Sequence, residues 1–119
     1  MAKGMAGALE KRANEIHGSL PVFTQSKTTT AVGSLKNSDG SIEYLVGSSE
    51  KRLRPAQRNL LNPNEVEATG IGHAEETIIN QAKANGQTVE EIAASRPICK
   101  ACKKLLNDND IKAGSPFKK

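Results

Sequence analysis

Two short stretches of this sequence hold side chains that could do chemistry together. They are His73-Ala74-Glu75 and, 26 residues after the histidine, Cys99-Lys100-Ala101-Cys102. Cysteines three apart on a helix share a face. They follow Pro97 and so fall in a first helical turn, where unpaired N–H groups and the helix dipole favour thiolate over thiol. Thiolate is the form that binds zinc. His73 opens its own helix after Gly72 and offers an imidazole as a third donor. The chain has two cysteines and two histidines, and the other histidine, His17, belongs to a different helix. A closed structural zinc site takes four protein ligands. His73, Cys99 and Cys102 supply three and leave one position open for water, whose pKa zinc lowers towards ~7. Glu75 lies two residues from the histidine, near enough to serve that water as a general acid/base without binding the metal. A redox pair and an incidental pair are the other readings of Cys99 and Cys102. The redox reading leaves His73 and Glu75 without a role.

The elements that must position these residues follow from periodicity and punctuation. Residues 5–17 read as an amphipathic helix, with Leu9, Ala13 and Ile16 at helical spacing and Gly18 as its stop. Pro21 breaks the chain. Residues 28–35 are rich in β-branched residues and read as a strand. Asn37-Ser38-Asp39-Gly40 is a turn, and residues 42–46 return as the second strand of a hairpin. Residues 49–71 are a polar loop holding Arg52, Arg54 and Arg58, with a short helix at 55–61. Residues 73–85 form a helix ended by Gly86. Residues 88–95 are ambiguous. Thr88-x-x-Glu91 has the form of a helix capping box, whereas Ile92-Ala93-Ala94 before Pro97 suits a buried strand. Residues 99–106 are a helix, and residues 111–119 a short edge segment and basic tail.

Composition bounds the class. A chain of 119 residues makes a single domain, 1–119, with flexible ends expected at 1–7 and 114–119. The apolar fraction is 36% and the aromatic fraction 3%, so the core must be aliphatic and small. No run approaches the ~18 apolar residues of a membrane-spanning helix. The first seven residues read as too short and too weakly apolar for a secretory signal. The net charge of +4 favours an anionic partner. With both cysteines in one Cys-x-x-Cys, a disulfide framework is excluded.

His-x-Glu followed by Pro-Cys-x-x-Cys is the signature of zinc nucleobase deaminases, and His73-Ala74-Glu75 with Pro97-Ile98-Cys99-Lys100-Ala101-Cys102 resembles it. In this chain Ile98 stands between the proline and the first cysteine. The sequence looks like a member of the cytidine deaminase superfamily. It also resembles the small deaminase domains at the C-termini of bacterial polymorphic toxins of the Rhs and contact-dependent kinds. Thr28-Thr29-Thr30-Ala31-Val32, Arg54-Pro55-Ala56-Gln57-Arg58, Gly72-His73-Ala74-Glu75 and Ser95-Arg96-Pro97-Ile98-Cys99 carry that resemblance, which spans most of residues 10–116.

The resemblance implies a three-layer α/β fold, a small mixed β-sheet with helices carrying the His-x-Glu and Cys-x-x-Cys motifs. It implies a strand near residues 91–95. It implies Zn2+ held by His73, Cys99 and Cys102, with Glu75 as catalytic acid/base in converting cytosine to uracil in nucleic acid. Single-stranded DNA is the favoured substrate, with double-stranded DNA and RNA as alternatives. It further implies a secreted toxin effector domain acting in the target-cell cytoplasm and a cognate immunity protein. Deamination of RNA adenosine or of a free nucleoside is a second enzymatic reading, and a zinc-stabilised nucleic-acid-binding module a non-enzymatic one. Expected substrate contacts are Ala74, Ser95, Arg96, Tyr44, Arg54 and Arg58. Glu76 reads as a surface residue, Phe23 as core and Tyr44 as half-buried in mid-strand. No residue is singled out to stack on the base.

Overall fold

The computed structural model describes residues 7–118. Expectations for residues 1–6 and 119 lie outside the described residues. The elements run α1 (Ala8–His17), α2 (Val22–Gln25), β1 (Thr30–Lys36), β2 (Ile42–Ser48), α3 (Pro55–Arg58), β3 (Glu65–Glu67), α4 (Ala74–Ala84), β4 (Thr88–Ala94), α5 (Lys100–Asp108) and β5 (Lys112–Ala113). The strands form one five-stranded mixed sheet in the order β3-β2-β1-β4-β5. β1 pairs antiparallel with β2 and β4, and the edge strands β3 and β5 pair parallel to β2 and β4. The expected three-layer α/β arrangement is what the chain adopts.

Strand periodicity assigns the two faces. Ala31, Leu35, Leu45, Ile92 and Ala94 point to one side, where they pack with Ile78, Ile79 and Ala82 of α4 and Cys102 and Leu106 of α5. Val32, Val46 and Ala93 point to the other, where Leu9, Ala13 and Ile16 of α1 cover them. The ambiguous stretch is therefore strand β4. Its Ile92-Ala93-Ala94 run is buried because both faces of the sheet are covered, and such strands lose the polar alternation of a one-sided sheet. A capping box is a local preference, and pairing with β1 on one side and β5 on the other overrides it.

Helix α4 lies unusually close to the sheet. A Cβ on Gly33 would stand 2.8 Å from Ile78 Cγ2, and one on Gly47 3.0 Å from the Ala74 carbonyl oxygen and 3.2 Å from Ile78 Cγ1. Glycine inside a strand often marks such an approach. Here it lets the first turn of α4 rest on bare backbone.

Two elements lack an apolar signature. Helix α2 starts at Pro21, which serves as its N-cap residue, so the proline ends one segment and opens the next. Strand β3 reads Glu-Val-Glu and is held by charge. Glu65 is buried and accepts hydrogen bonds from Arg12 Nε at 2.8 Å, Arg12 Nη2 at 2.7 Å and the Asn62 N–H at 2.8 Å. Arg12 lies on α1, so this pair ties the outer helix to the sheet edge.

Burial pushes the Glu65 carboxyl up. The hydrogen bond from Arg12, that from Asn62 and the Arg12 charge outweigh it and hold the group below the usual carboxylate range. A depressed carboxylate adds stability above its unfolded pKa, and that stability is lost as pH falls through the folded value. Glu65→Gln should therefore cost about 1–2 kcal/mol at pH 7, the scale of a charge-assisted hydrogen bond partly open to solvent. The deficit should shrink as pH falls below the usual carboxylate range, through the depressed folded-state value. Urea unfolding at pH 7 and over a series of decreasing pH values measures both.

Candidate metal centre and cleft

The first turns of α4 and α5 meet on one side of the sheet. His73 is the N-cap residue of α4 and Cys99 that of α5, each with extended backbone. His73 Nδ1 lies 3.9 Å from Cys99 Sγ. One ligand atom each from His73, Cys99 and Cys102 falls within 4.8 Å of the others. Tetrahedral zinc with bonds of about 2.0–2.3 Å would set such atoms about 3.5–3.8 Å apart. The donor set therefore fits the ion with a small contraction, and three donors suit an open site better than a closed structural one.

Glu75 sits in the same first turn of α4 and is only 4% exposed. Burial pushes its carboxyl up, and its own backbone N–H, the His73 charge and the Cys102 thiol pull back less. Burial likewise pushes the Cys102 thiol up, reinforced by the charge of Glu75 and by Cys99. The helix-end effect anticipated for this cysteine is outweighed by its position in the core. Both cysteines are free, and their proximity to His73 and Glu75 is what a dithiol redox site would not need.

His73, Glu75 and Cys99 line a cleft of about 270 Å³ together with Thr29, Arg96, Pro97 and Lys118. This is near the lower end of small-ligand pockets, roughly 300 Å³, and has room for one base. Of the expected substrate contacts, Arg96 is in the cleft, and its guanidinium also donates to the Ser26 carbonyl. The others do not line it. Ala74 is fully buried over Gly47. Ser95 borders the cleft as a support, its Oγ accepting the Thr30 N–H at 2.9 Å. Tyr44 is half-buried as expected, but it packs with the α1 side of the sheet. Arg54 pairs with Glu50 at 2.9 Å, and Arg58 lies 3.7 Å from Glu67 and donates to the Leu53 carbonyl. With Arg52 they surround a separate hollow. Glu76 is only part exposed, and its Oε1 accepts the His73 N–H at 3.3 Å, bracing the start of α4.

Thr29, Pro97 and Lys118 were not foreseen in the cleft. Lys118 comes from the tail, where residues 114–118 are anchored. Ile98, the residue inserted before Cys99, is fully buried. Its N–H donates to the Pro116 carbonyl at 2.9 Å and its carbonyl accepts the Lys118 N–H at 2.8 Å. The inserted residue thus draws the tail to the cleft wall. His17 is no ligand. Its Nε2 faces the Gln25 carbonyl at 2.9 Å, so Nε2 carries the proton and Nδ1 accepts from the Thr30 hydroxyl at 2.9 Å. The same hydroxyl accepts from buried Gln57 Nε2 at 2.9 Å. This buried network fixes the end of β1 beside Thr29.

No family model matches the sequence, and no curated protein matches it. Among solved structures the chain is similar to a cytidine deaminase from Burkholderia pseudomallei. The identity is 23% over 83% of this chain and 72% of that chain, with a TM-score of 0.39. At that distance the chemistry is read from this chain's own residues.

Zinc titrated against a chromophoric chelator should saturate one site per chain. His73→Ala and Cys102→Ser should each weaken binding at least as much as the roughly 10–100-fold loss seen for outer-sphere partners. Unchanged affinity in both variants would place the ion elsewhere.

Proposed function

We propose that this chain is a zinc-dependent hydrolytic deaminase that converts cytosine to uracil in nucleic acid. The observation that carries the reading is the meeting of His73, Cys99 and Cys102 beside the buried carboxylate of Glu75 in a cleft with room for one base. His73, Cys99 and Cys102 would hold the ion. Zinc, when bound, supplies Lewis acidity towards a water.

The overall change adds water at C4 of the base and releases the exocyclic amine as ammonia. Glu75 moves the protons. Its carboxylate takes one from the attacking water, delivers it to N3 and later assists the departing amino nitrogen. A carboxyl whose proton affinity is raised by burial suits a group that must both accept and donate near neutrality. Arg96 and Lys118 at the cleft wall favour a substrate carrying phosphates. A base inside a duplex cannot enter such a cleft without leaving its stack, which favours single-stranded DNA over double-stranded DNA. The sequence resemblance extends the reading to an antibacterial toxin effector domain, delivered by secretion to the target-cell cytoplasm and matched by a cognate immunity protein.

Uracil release from cytosine-containing oligonucleotides tests the reaction. The wild-type chain should yield uracil. Glu75→Ala should lower turnover by at least about 10²–10⁴-fold, the usual worth of general acid/base catalysis, while still binding one zinc. Full activity in that variant would refute the assigned role.

A further inference from the structure

The chain has two phenylalanines, and neither is in the core. Phe23 on α2 is 69% exposed and Phe117 in the tail 37% exposed. Each carries a lysine ammonium against its ring, Lys27 at 4.1 Å from the Phe23 centroid and Lys103 at 4.9 Å from that of Phe117. Each pair is linked to a different wall of the cleft through neighbouring residues. Thr29, two residues beyond Lys27, lines the cleft, and Arg96 reaches from it to Ser26 at the end of α2. On the other wall Lys118 follows Phe117 directly and lines both the cleft and a neighbouring hollow of about 320 Å³ with Ile98, Lys100 and Lys103. Among the described residues lining the cleft and this hollow, Glu75 is the only acid.

We infer that Phe23 and Phe117 stack on the bases flanking the target in a single strand, with Lys27, Lys100 and Lys103 following its phosphates. This rests on the deaminase reading and deepens it by naming what holds the neighbours of the reacting base. Exposed aromatics alternating with cations are how proteins hold unpaired strands, because every base offers a π-face while the charges track the backbone. A lysine beside each ring sets a cation next to the surface on which a base would stack. A free nucleoside would fill the cleft and leave both Phe/Lys pairs without a ligand. Paired bases would present no face to either ring.

Binding to a fluorescent single-stranded oligonucleotide with one central cytosine tests the inference without turnover, using the full zinc-loaded chain carrying Glu75→Gln. DNA and RNA versions distinguish the sugar. In this background Phe23→Ala and Phe117→Ala should each weaken binding about tenfold, within the range for loss of one stacked base. Phe23→Tyr should restore affinity and Phe23→Leu should not, because an apolar side chain without a ring cannot stack. Replacing a flanking base by an abasic unit should reproduce the loss, and the matching Phe→Ala variant should then add nothing. Lys103→Gln should flatten the salt dependence, which would carry the test for that wall if Phe117→Ala folds poorly. Affinity unchanged by the phenylalanine substitutions, or no oligonucleotide binding by the parent, overturns the inference. Uracil production by the wild-type chain, together with unaltered binding in the phenylalanine variants, would overturn this path and leave the reaction standing. Stacking without uracil production by the wild-type chain would do the reverse.

Discussion

Helix α4 can seat His73 and Glu75 where it does because two strand positions beneath its first turns carry no side chain. Gly33 and Gly47 leave bare backbone under Ile78 and Ala74, and the helix descends until its carbonyl and side-chain atoms touch the strands. A larger residue at either position would lift the helix or overpack the core, typically at a cost of about 1–3 kcal/mol. The lift would matter more than the energy. It would draw the imidazole away from the two sulfurs and open the buried carboxylate to water.

The second requirement is that α5 begin beside α4. Ile98 provides the anchor, buried in the same core as Cys102 and Leu106 and hydrogen-bonded on both sides to the tail. Ser95 ties the preceding residues to the end of β1, where His17, Thr30 and Gln57 form a satisfied polar network. Buried polar groups are costly unless fully paired, and a paired network fixes one arrangement. The cleft is thus framed by a strand end, two helix starts and a returning tail. None of these could hold the geometry alone.

The chemical residues were legible in the sequence because their types and spacing carry the chemistry. The main helices and the hairpin were legible because apolar period and turn residues are local. What escaped was set by distant parts of the chain. β4 needed its partners to settle against a capping pattern. β3 is fixed by an ion pair to Arg12, which no periodicity reveals. Phe23 follows a proline in a short helix that only the folded chain shows to be exposed, and Thr29 and Lys118 reach the cleft by topology. Arg54 and Arg58 were expected at the cleft from charge alone, but nearby glutamates engage them at a separate surface.

The proposed chemistry requires three protein donors and one open position beside Glu75. Zinc K-edge X-ray absorption on the zinc-loaded full chain tests this most directly. Two sulfurs at ~2.3 Å and two lighter nitrogen or oxygen donors at ~2.0–2.1 Å are expected, with imidazole scattering from a single histidine. A shell with two imidazoles, or one without sulfur, would contradict that arrangement.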